Sequence, residues 1–210
     1  MCLNNLAADL SSRYKKFGAI EDLNNAIVLD QEALNLCPQG HPNRLISLHN
    51  LARHLSTWYT QLGESQDLED AIFLDWEALA LRPRGYHLRT NPSNNLSNRL
   101  SSRHEQLGNL QDLEETIALD REALDLRPQG HPDRPMSLNN LALHLSSRYK
   151  QLGAIEDLEE AIVLSREALD HCPQGHPDRS MSLNSLARHL ASRYEQLEDI
   201  EDLEAAIVLA

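Results

Sequence analysis

Apolar residues recur at intervals of three and four positions along this chain, in two blocks that alternate. Within residues 45–89, the first block comprises Leu48, Leu51, Ala52, Leu55, Tyr59 and Leu62. The second block comprises Leu68, Ala71, Ile72, Leu74, Ala78, Leu79 and Leu81. Because steps of three and four residues place side chains on one face of an α-helix, each block predicts an amphipathic helix.

This two-helix pattern repeats every 45 residues, as the spacing from Leu6 to Leu51 and from Leu51 to Leu96 illustrates. We therefore divide residues 1–210 into the units 1–44, 45–89, 90–134, 135–179 and a truncated 180–210. A period of this length is typical of stacked supersecondary units that bury a continuous core between neighbours. The predicted fold class is all-α, an α-solenoid of antiparallel helix pairs that forms a single array.

Turn-forming residues indicate where these helices begin and end. Gly63 tolerates the left-handed conformation of a helix C-terminal cap, so the first helix is predicted to end there. The residue before a proline avoids the α region, so the second helices are predicted to end before Pro38, Pro83, Pro128 and Pro173. Asp67, Asp112 and Asp157 are predicted N-caps of second helices, the latter two within capping boxes.

Each unit resembles a tetratricopeptide repeat, specifically the long kinesin-light-chain-like variety and the 45-residue arrays of many fungal repeat proteins. The resemblance rests on the phrase SLNNLA in the first helix, on Ala26 and Ala33 in the second helix, and on the closing Pro38. It covers the whole chain and implies a right-handed superhelix whose first helices line a concave groove. Asp30 departs from the family pattern, which has an aromatic residue at that position.

Composition and charge exclude several classes of protein. The net charge of −13 argues against general nucleic-acid binding, which requires a basic surface. No uncharged apolar stretch is long enough to span a membrane, and the N-terminus lacks the pattern of a signal peptide. Cys2, Cys37 and Cys172 form no CxxC pair, so we predict free thiols in a reducing, cytoplasmic compartment.

A stripe of amide and cationic side chains on one flank of the first helices is the candidate peptide-binding groove. Its residues are Asn50, His54, Asn95, Arg99, Arg103, Asn140, His144, Arg148, His189 and Arg193. Asn side chains both donate and accept hydrogen bonds, and Arg binds carboxylates bidentately, so an acidic peptide or chain terminus is the expected ligand. The alternative interpretation is a solvated face in which each Arg pairs with acidic residues of the adjacent second helix.

No group of residues indicates catalysis, a metal or a cofactor. His41, His131 and His176 recur in the same turn, which indicates a structural role. The spacing of His171, Cys172 and His176 matches no zinc pattern. A nucleophile requires one unique, oriented arrangement, whereas the Ser, His and Asp residues here recur with the repeat. We therefore predict no enzymatic activity, no metal and no cofactor.

Two regions depart from the repeat. The segment Tyr86–Asn91 replaces the usual GHPxR turn, either through drift at a weaker contact or as a specialised loop or hinge. The chain also begins and ends inside helix patterns, and Leu203, Ala206 and Ile207 form a shortened apolar face. We expect a fragment of a longer array or a truncated gene product, with self-association through its uncapped ends as a further expectation.

Two functions are compatible with these observations. The first is a non-enzymatic protein–protein interaction scaffold that binds a peptide or partner segment along the concave face of the first helices. The alternative is the regulatory or sensing array of a larger signalling protein. Fungal arrays that resemble this chain are often joined to a caspase-like protease or an NTPase effector, and no such domain is present in these residues.

Overall fold

The computed structural model describes residues 2–82 and 90–209 of the chain. Within these residues there are ten α-helices and no strand. The helices are α1 (Cys2–Phe17), α2 (Ile20–Asn35), α3 (Arg44–Leu62), α4 (Ser65–Ala80), α5 (Thr90–Leu107), α6 (Leu110–Asp125), α7 (Arg134–Leu152), α8 (Ile155–Asp170), α9 (Arg179–Leu197) and α10 (Ile200–Leu209). The predicted all-α fold, with two helices in each 45-residue unit, is confirmed.

Helices pack in the order expected of stacked pairs. Within a repeat, α1 packs on α2, α3 on α4, α7 on α8 and α9 on α10. Between repeats, the second helix of one unit packs on the first helix of the next, as in the contacts of α2 with α3, α6 with α7 and α8 with α9. Successive first helices also touch, α1 with α3 and α7 with α9.

The contacts divide the chain into two compact units, Met1–Arg103 and His104–Ala210. Unit 1 has a core built from Leu and Ala of α3 and α4, comprising Leu48, Leu51, Ala52, Leu55, Ala71, Leu74 and Ala78. Unit 2 has the equivalent core in α6, α7 and α8, comprising Leu113, Ile117, Leu138, Leu141, Ala142, Leu145, Ala161, Leu164 and Ala168. Burial of these apolar side chains, at about 25 cal/mol per Å², is the main force that holds the helix pairs together.

The first helices end at a left-handed residue, as the sequence predicts. Gly63 has φ 76°, and its N–H donates a hydrogen bond to the carbonyl of Tyr59 at 2.7 Å. At the end of α9 the equivalent residue is Glu198, which adopts φ 56°. It is the one non-glycine residue with positive φ in the described part of the chain. The second helices end before their prolines, for example α2 at Asn35.

The predicted N-caps of the second helices are wrong. The observed N-caps lie three residues earlier, at Glu64 for α4, Asn109 for α6 and Ala154 for α8. Asp67, Asp112 and Asp157 therefore lie at the third helical position and not at the N-cap. The two predicted capping boxes are absent for the same reason. At this position the carboxylate can reach a side chain of the first helix instead, as Asp157 does.

The structure describes the divergent segment of the third repeat only in part. Residues Tyr86–Arg89 lie outside the described residues, whereas Thr90 and Asn91 begin α5. Pro92 lies in the first turn of this helix, where proline is accepted. The prediction of a hinge or specialised loop is therefore not tested.

Candidate functional site

The three histidines of the predicted groove are buried between helices. His54 and His189 are 0% exposed and His144 is 3% exposed. His54 Nδ1 lies 2.6 Å from Oδ2 of Asp30, which belongs to the second helix of the preceding repeat. Because a buried imidazole cannot contact a partner at the surface, the prediction that these histidines line a groove is wrong. They connect one repeat to the next.

Arg99 occupies the same position in the third repeat, and it is also buried. Its guanidinium binds the carboxylate of Asp75, again in the second helix of the preceding repeat. Burial raises the pKa of Asp75 to about 6, although the charge of Arg99 opposes this shift. Arg99 therefore also belongs to a repeat contact and not to a peptide-binding surface.

A buried polar pair occurs at each of the four contacts between successive repeats. Its two residues are always 24 positions apart in the sequence. The four pairs are Asp30 with His54, Asp75 with Arg99, Asp120 with His144, and Ser165 with His189. In the last pair a hydroxyl replaces the carboxylate, and the Ser165 Oγ to His189 Nδ1 distance is 3.0 Å. Without a carboxylate partner, burial lowers the pKa of His189 to about 4.

The remaining arginines of the predicted groove form ion pairs with second helices. Arg148 binds Asp157 through two hydrogen bonds of 2.8 and 2.7 Å, and this contact raises the pKa of Arg148. Arg193 binds Asp202 in the same bidentate manner at 2.6 and 2.5 Å. Arg103 binds Glu69 at 2.6 Å. These pairs agree with the interpretation in which Arg partners acidic residues of a second helix.

The second repeat lacks this arginine. Trp58 stands where Arg13, Arg148 and Arg193 stand in other repeats. As a result, Asp67 has a buried Oδ2 atom that no side chain or backbone group among the described residues binds. Burial raises the pKa of Asp67, and the neighbouring carboxylates add to the rise.

The asparagines of the predicted groove are the residues that remain accessible. Asn50, Asn95 and Asn140 are each half-buried on the accessible side of a first helix. Asn95 Nδ2 lies 3.3 Å from Nδ1 of His49, on the preceding first helix. An amide in such a position can still donate and accept hydrogen bonds with a ligand.

The accessible face of the first helices contains residues that the sequence interpretation missed. This first-helix surface runs in steps of three and four from each asparagine position. In unit 1 it comprises Asn5, Ala8, Ser12, Asn50, Arg53, Thr57, Asn95, Asn98 and Ser102. In unit 2 it comprises Asn140, Leu143, Ser147, Ser185, Arg188 and Ser192. All of these residues are half-buried or exposed, and Leu143 is 41% exposed.

The helical wheel alone could not separate the accessible residues from the buried ones. From Asn50, both Arg53 and His54 lie on the same flank of the helix, but only His54 faces the preceding second helix. The sequence does contain a relevant signal. A His or Arg at this position always follows an Asp or Ser 24 residues earlier, as His54 follows Asp30.

The histidines of the inter-repeat turn have the structural role that their recurrence predicts. His41 Nδ1 accepts a hydrogen bond from the backbone N–H of Asn43 at 3.1 Å, and His131 and His176 make the equivalent contact. Arg44 of the same turn donates to the carbonyl of Cys37 and to Glu77, both at 2.7 Å. The HPxR string therefore closes the turn and attaches it to the next second helix.

Among the described residues, the side chains that could bind a metal do not form a group. In the part of the chain that the structure describes, no three His, Cys, Asp or Glu side chains come together as metal ligands would. Cys2, Cys37 and Cys172 are free thiols, and the latter two are buried. Of the helices described, none is long and apolar enough to cross a membrane.

One family model and several solved structures are similar to this chain. Residues 136–178 match the family model of the tetratricopeptide repeat. The fold is similar to the nearly identical TPR-like repeats of a putative kinesin light chain from Podosopora anserina, with a TM-score of 0.67, 21% identity, and coverage of 97% of this chain and 92% of that chain. A single-substitution variant of that protein gives a TM-score of 0.70 at 20% identity, covering 100% of this chain and 96% of that chain.

A second protein has the same fold at lower identity. The crystal structure of MamA matches with a TM-score of 0.62 and 14% identity, covering 99% of this chain and 91% of that chain. A comparison with curated proteins found no significant match. Because these identities are low, the structural matches establish the fold and not the nature of any bound partner.

Proposed function

We propose that the chain is a non-enzymatic scaffold that binds a peptide or partner segment along its first-helix surface. The proposal is supported by the match of residues 136–178 to the tetratricopeptide repeat model and by the likeness of the fold to TPR-like arrays. TPR-like folds are typical of protein–protein interaction scaffolds, and solenoids of this kind present extended surfaces. The first-helix surface includes Asn50 and Arg53 in unit 1 and Asn140 and Arg188 in unit 2.

The observation that supports this surface is the division of polar residues on the first helices. His54, Arg99 and Arg148 are already bound to residues of second helices. Arg53 and Arg188, by contrast, lie on the accessible side at the step of three residues after Asn50 and Ser185. Polar groups that the fold does not use for its own contacts are the ones available to a ligand.

The residues of this surface suggest the chemistry of the partner. Amides at Asn50 and Asn140 can bind the backbone of an extended peptide, because each donates and accepts. Arg53 and Arg188 can bind a carboxylate on that peptide. The exposed apolar side chain of Leu143 adds contact area in unit 2. We therefore propose a peptide with acidic and apolar residues.

The proposal is tested by charge reversal on matched faces. Arg53→Glu with Arg188→Glu alters the first-helix surface, whereas Arg121→Glu with Arg166→Glu makes the same change of charge on second helices. All four side chains are half-buried or exposed, so the first-helix variant is expected to keep its stability within about 0.5 kcal/mol. The second-helix variant also loses the exposed ion pair of Arg121 with Glu160, so it is expected to lose up to about 1 kcal/mol. In affinity capture from a source lysate, the first-helix variant should lose partners that the second-helix variant retains. Equal loss in both variants, or loss only in the second, would refute the proposed surface.

A further inference from the structure

A cavity of about 180 Å³ lies in unit 1 between α1, α2 and the turn that leads to α3. Its lining includes Asn4, Cys37, His41, Asn43 and Ser47. The volume is several times the share of one water molecule in the liquid, about 30 Å³, so the cavity can hold a larger group. Leu36, which also lines it, is 69% exposed, so the cavity reaches the surface on that side.

One polar group in this cavity has no partner. Asn4 is 8% exposed, and its Nδ2 donates to Ser47 Oγ at 3.2 Å. Its Oδ1 atom is buried and accepts no hydrogen bond from the described residues. A buried acceptor without a donor costs about 1–3 kcal/mol, so a donor that reached this oxygen would be stabilising. The equivalent Asn139, in the repeat that carries Cys172, has an unpartnered Oδ1 of the same kind.

The third repeat shows which group fits the same space. Arg127 stands where Cys37 stands in the first repeat, and its side chain is 1% exposed. The guanidinium donates to Ser137 Oγ at 2.5 Å and to the carbonyl of Asp133 at 3.3 Å. Ser137 and Asp133 are the counterparts of Ser47 and Asn43, which line the cavity of the first repeat.

We propose that the cavity beside Cys37 is a binding site for a guanidinium group, supplied by a partner's arginine side chain or by a free guanidinium compound. Cys37 replaces the arginine that occupies this space in the third repeat. The hydroxyl of Ser47 and the carbonyl of Asn43 remain as acceptors, whereas the carboxylate of Asp133 is replaced by the amide of Asn43. The bound guanidinium would donate to Ser47 Oγ and to Asn4 Oδ1. The ligand enters past Leu36, away from the first-helix surface, so this site does not depend on the function proposed above.

The cation nearest the cavity, Arg44, is already paired with a carboxylate. Arg44 lies close, since it donates to the carbonyl of Cys37. Its charge is neutralised by an ion pair with Glu77 at 2.5 Å. The third repeat holds Arg127 beside the equivalent Arg134, which is paired with Glu167 in the same way. In the third repeat the Asp133 carboxylate also lies 3.9 Å from the Arg127 guanidinium, whereas the first repeat has the neutral Asn43 at that position. A guanidinium bound beside Cys37 would therefore be held by hydrogen bonds without a carboxylate partner.

The test is a titration with methylguanidinium, followed by NMR on the side-chain amide of Asn4. Methylammonium serves as a control of equal charge without the planar set of donors. A small ligand of this kind is expected to bind with a Kd of roughly 1–10 mM. Saturable shifts with methylguanidinium alone would support the site. No saturable shift, or an equal response to methylammonium, would overturn the proposal.

Two variants of the first repeat test whether methylguanidinium binds in the cavity beside Cys37. Cys37→Arg should fill the cavity as Arg127 does, and it should weaken methylguanidinium binding at least tenfold. Asn4→Ala removes the unpartnered acceptor without filling the space, and it should also weaken binding tenfold or more. Unchanged affinity in a folded Asn4→Ala variant would overturn the site even if Cys37→Arg fails to fold.

A variant that lacks Arg127 tests whether a free guanidinium compound can occupy the space of this side chain in the third repeat. Arg127→Ala should lower the melting temperature, and methylguanidinium should restore part of the loss where methylammonium does not. If this variant does not fold alone, recovery of helical circular dichroism is the readout, and the absence of recovery counts against the proposal. Titration with N-acetyl-arginine methylamide then distinguishes the sources. Binding at least as tight as that of methylguanidinium assigns the site to a protein arginine, and weaker binding assigns it to a small free compound.

Discussion

His54 Nδ1 lies 2.6 Å from Asp30 Oδ2, and both side chains are fully buried between α2 and α3. The other polar atoms of this pair, His54 Nε2 and Asp30 Oδ1, find no partner among the described residues. Burial of such a pair is costly, so its recurrence at successive contacts calls for an explanation other than stability alone. We infer that the pair fixes the register in which one repeat stacks on the next, because only one alignment brings the two groups together.

Removing the carboxylate of Asp30 is expected to destabilise the chain. Asp30→Ala leaves the buried imidazole of His54 without its partner, at a cost of about 2–4 kcal/mol in the free energy of unfolding. Asp30→Ser should cost less, since the contact of Ser165 with His189 shows that a hydroxyl can replace the carboxylate. Denaturant unfolding followed by circular dichroism measures both values. Equal stability of Asp30→Ala and the native chain would show that the pair contributes nothing.

The stability of the last repeat contact should fall at acidic pH because of His189. Its pKa is lowered by burial to about 4 in the folded chain, whereas an unfolded histidine titrates near 6.5. Between these values the unfolded chain binds a proton that the folded chain does not, so stability decreases as the pH falls through this window. The loss at pH 4 amounts to about 3 kcal/mol.

The control for this pH dependence is His189→Gln, which keeps a hydrogen-bonding side chain but cannot titrate. Unfolding curves of the two proteins at several pH values between about 7 and about 4 give the difference directly. If the native chain is the more stable of the two at about pH 7, its advantage in the free energy of unfolding should narrow or reverse as the pH falls. Parallel curves would mean that His189 does not change its protonation on folding. Burial raises the pKa of Asp75 to about 6, so this residue also makes stability depend on pH. Because both proteins contain Asp75, its contribution cancels in the comparison.

Replacing Trp58 by arginine should restore the ion pair that the second repeat lacks. In three other repeats the equivalent arginine binds the equivalent aspartate bidentately, as Arg148 binds Asp157. Trp58→Leu removes the indole without adding a cation, so the comparison of the two variants isolates the pair. The arginine variant should be more stable than the leucine variant by about 0.5–1 kcal/mol. NMR titration should find that the pKa of Asp67 has fallen, and an unchanged pKa would contradict the prediction.

Glu198 is expected to be less favourable than glycine at its position. It adopts φ 56° at the end of α9, where other first helices have glycine, for example Gly63 with φ 76°. A left-handed conformation costs a non-glycine residue about 1–2 kcal/mol. Glu198→Gly should therefore raise the free energy of unfolding by about 1 kcal/mol, and Glu198→Ala, with a side chain of its own, should not. A destabilised glycine variant would show that the glutamate makes a compensating contact.

The fold followed from the sequence because its determinants are periodic and local. Apolar spacing, Gly63 and the closing prolines each specify helices or their ends. The N-caps could not be placed in the same way, because Asp67 and Asp157 suit either an N-cap or the third helical position, and only the packing against the first helix decides between them. The prediction that His54 and Arg99 line a groove was wrong for a related reason. Whether a polar residue on the flank of a helix faces solvent or a neighbouring repeat depends on how the repeats stack.

The most direct test of the central claim is site-specific photo-crosslinking on opposite faces of the same helix pair. A photoreactive amino acid at Asn140 samples the first-helix surface, and one at Val163, which is 63% exposed on α8, samples the second-helix face. Asn50 on α3 and the half-exposed Val28 on the adjacent α2 give a second comparison in unit 1, between helices of neighbouring repeats. In a source lysate, we expect partner crosslinks from Asn140 and Asn50 and few from the two valines. Crosslinks that arise mainly from Val163 and Val28 would show that partners bind the second helices, and the proposed function of the first-helix surface would be wrong.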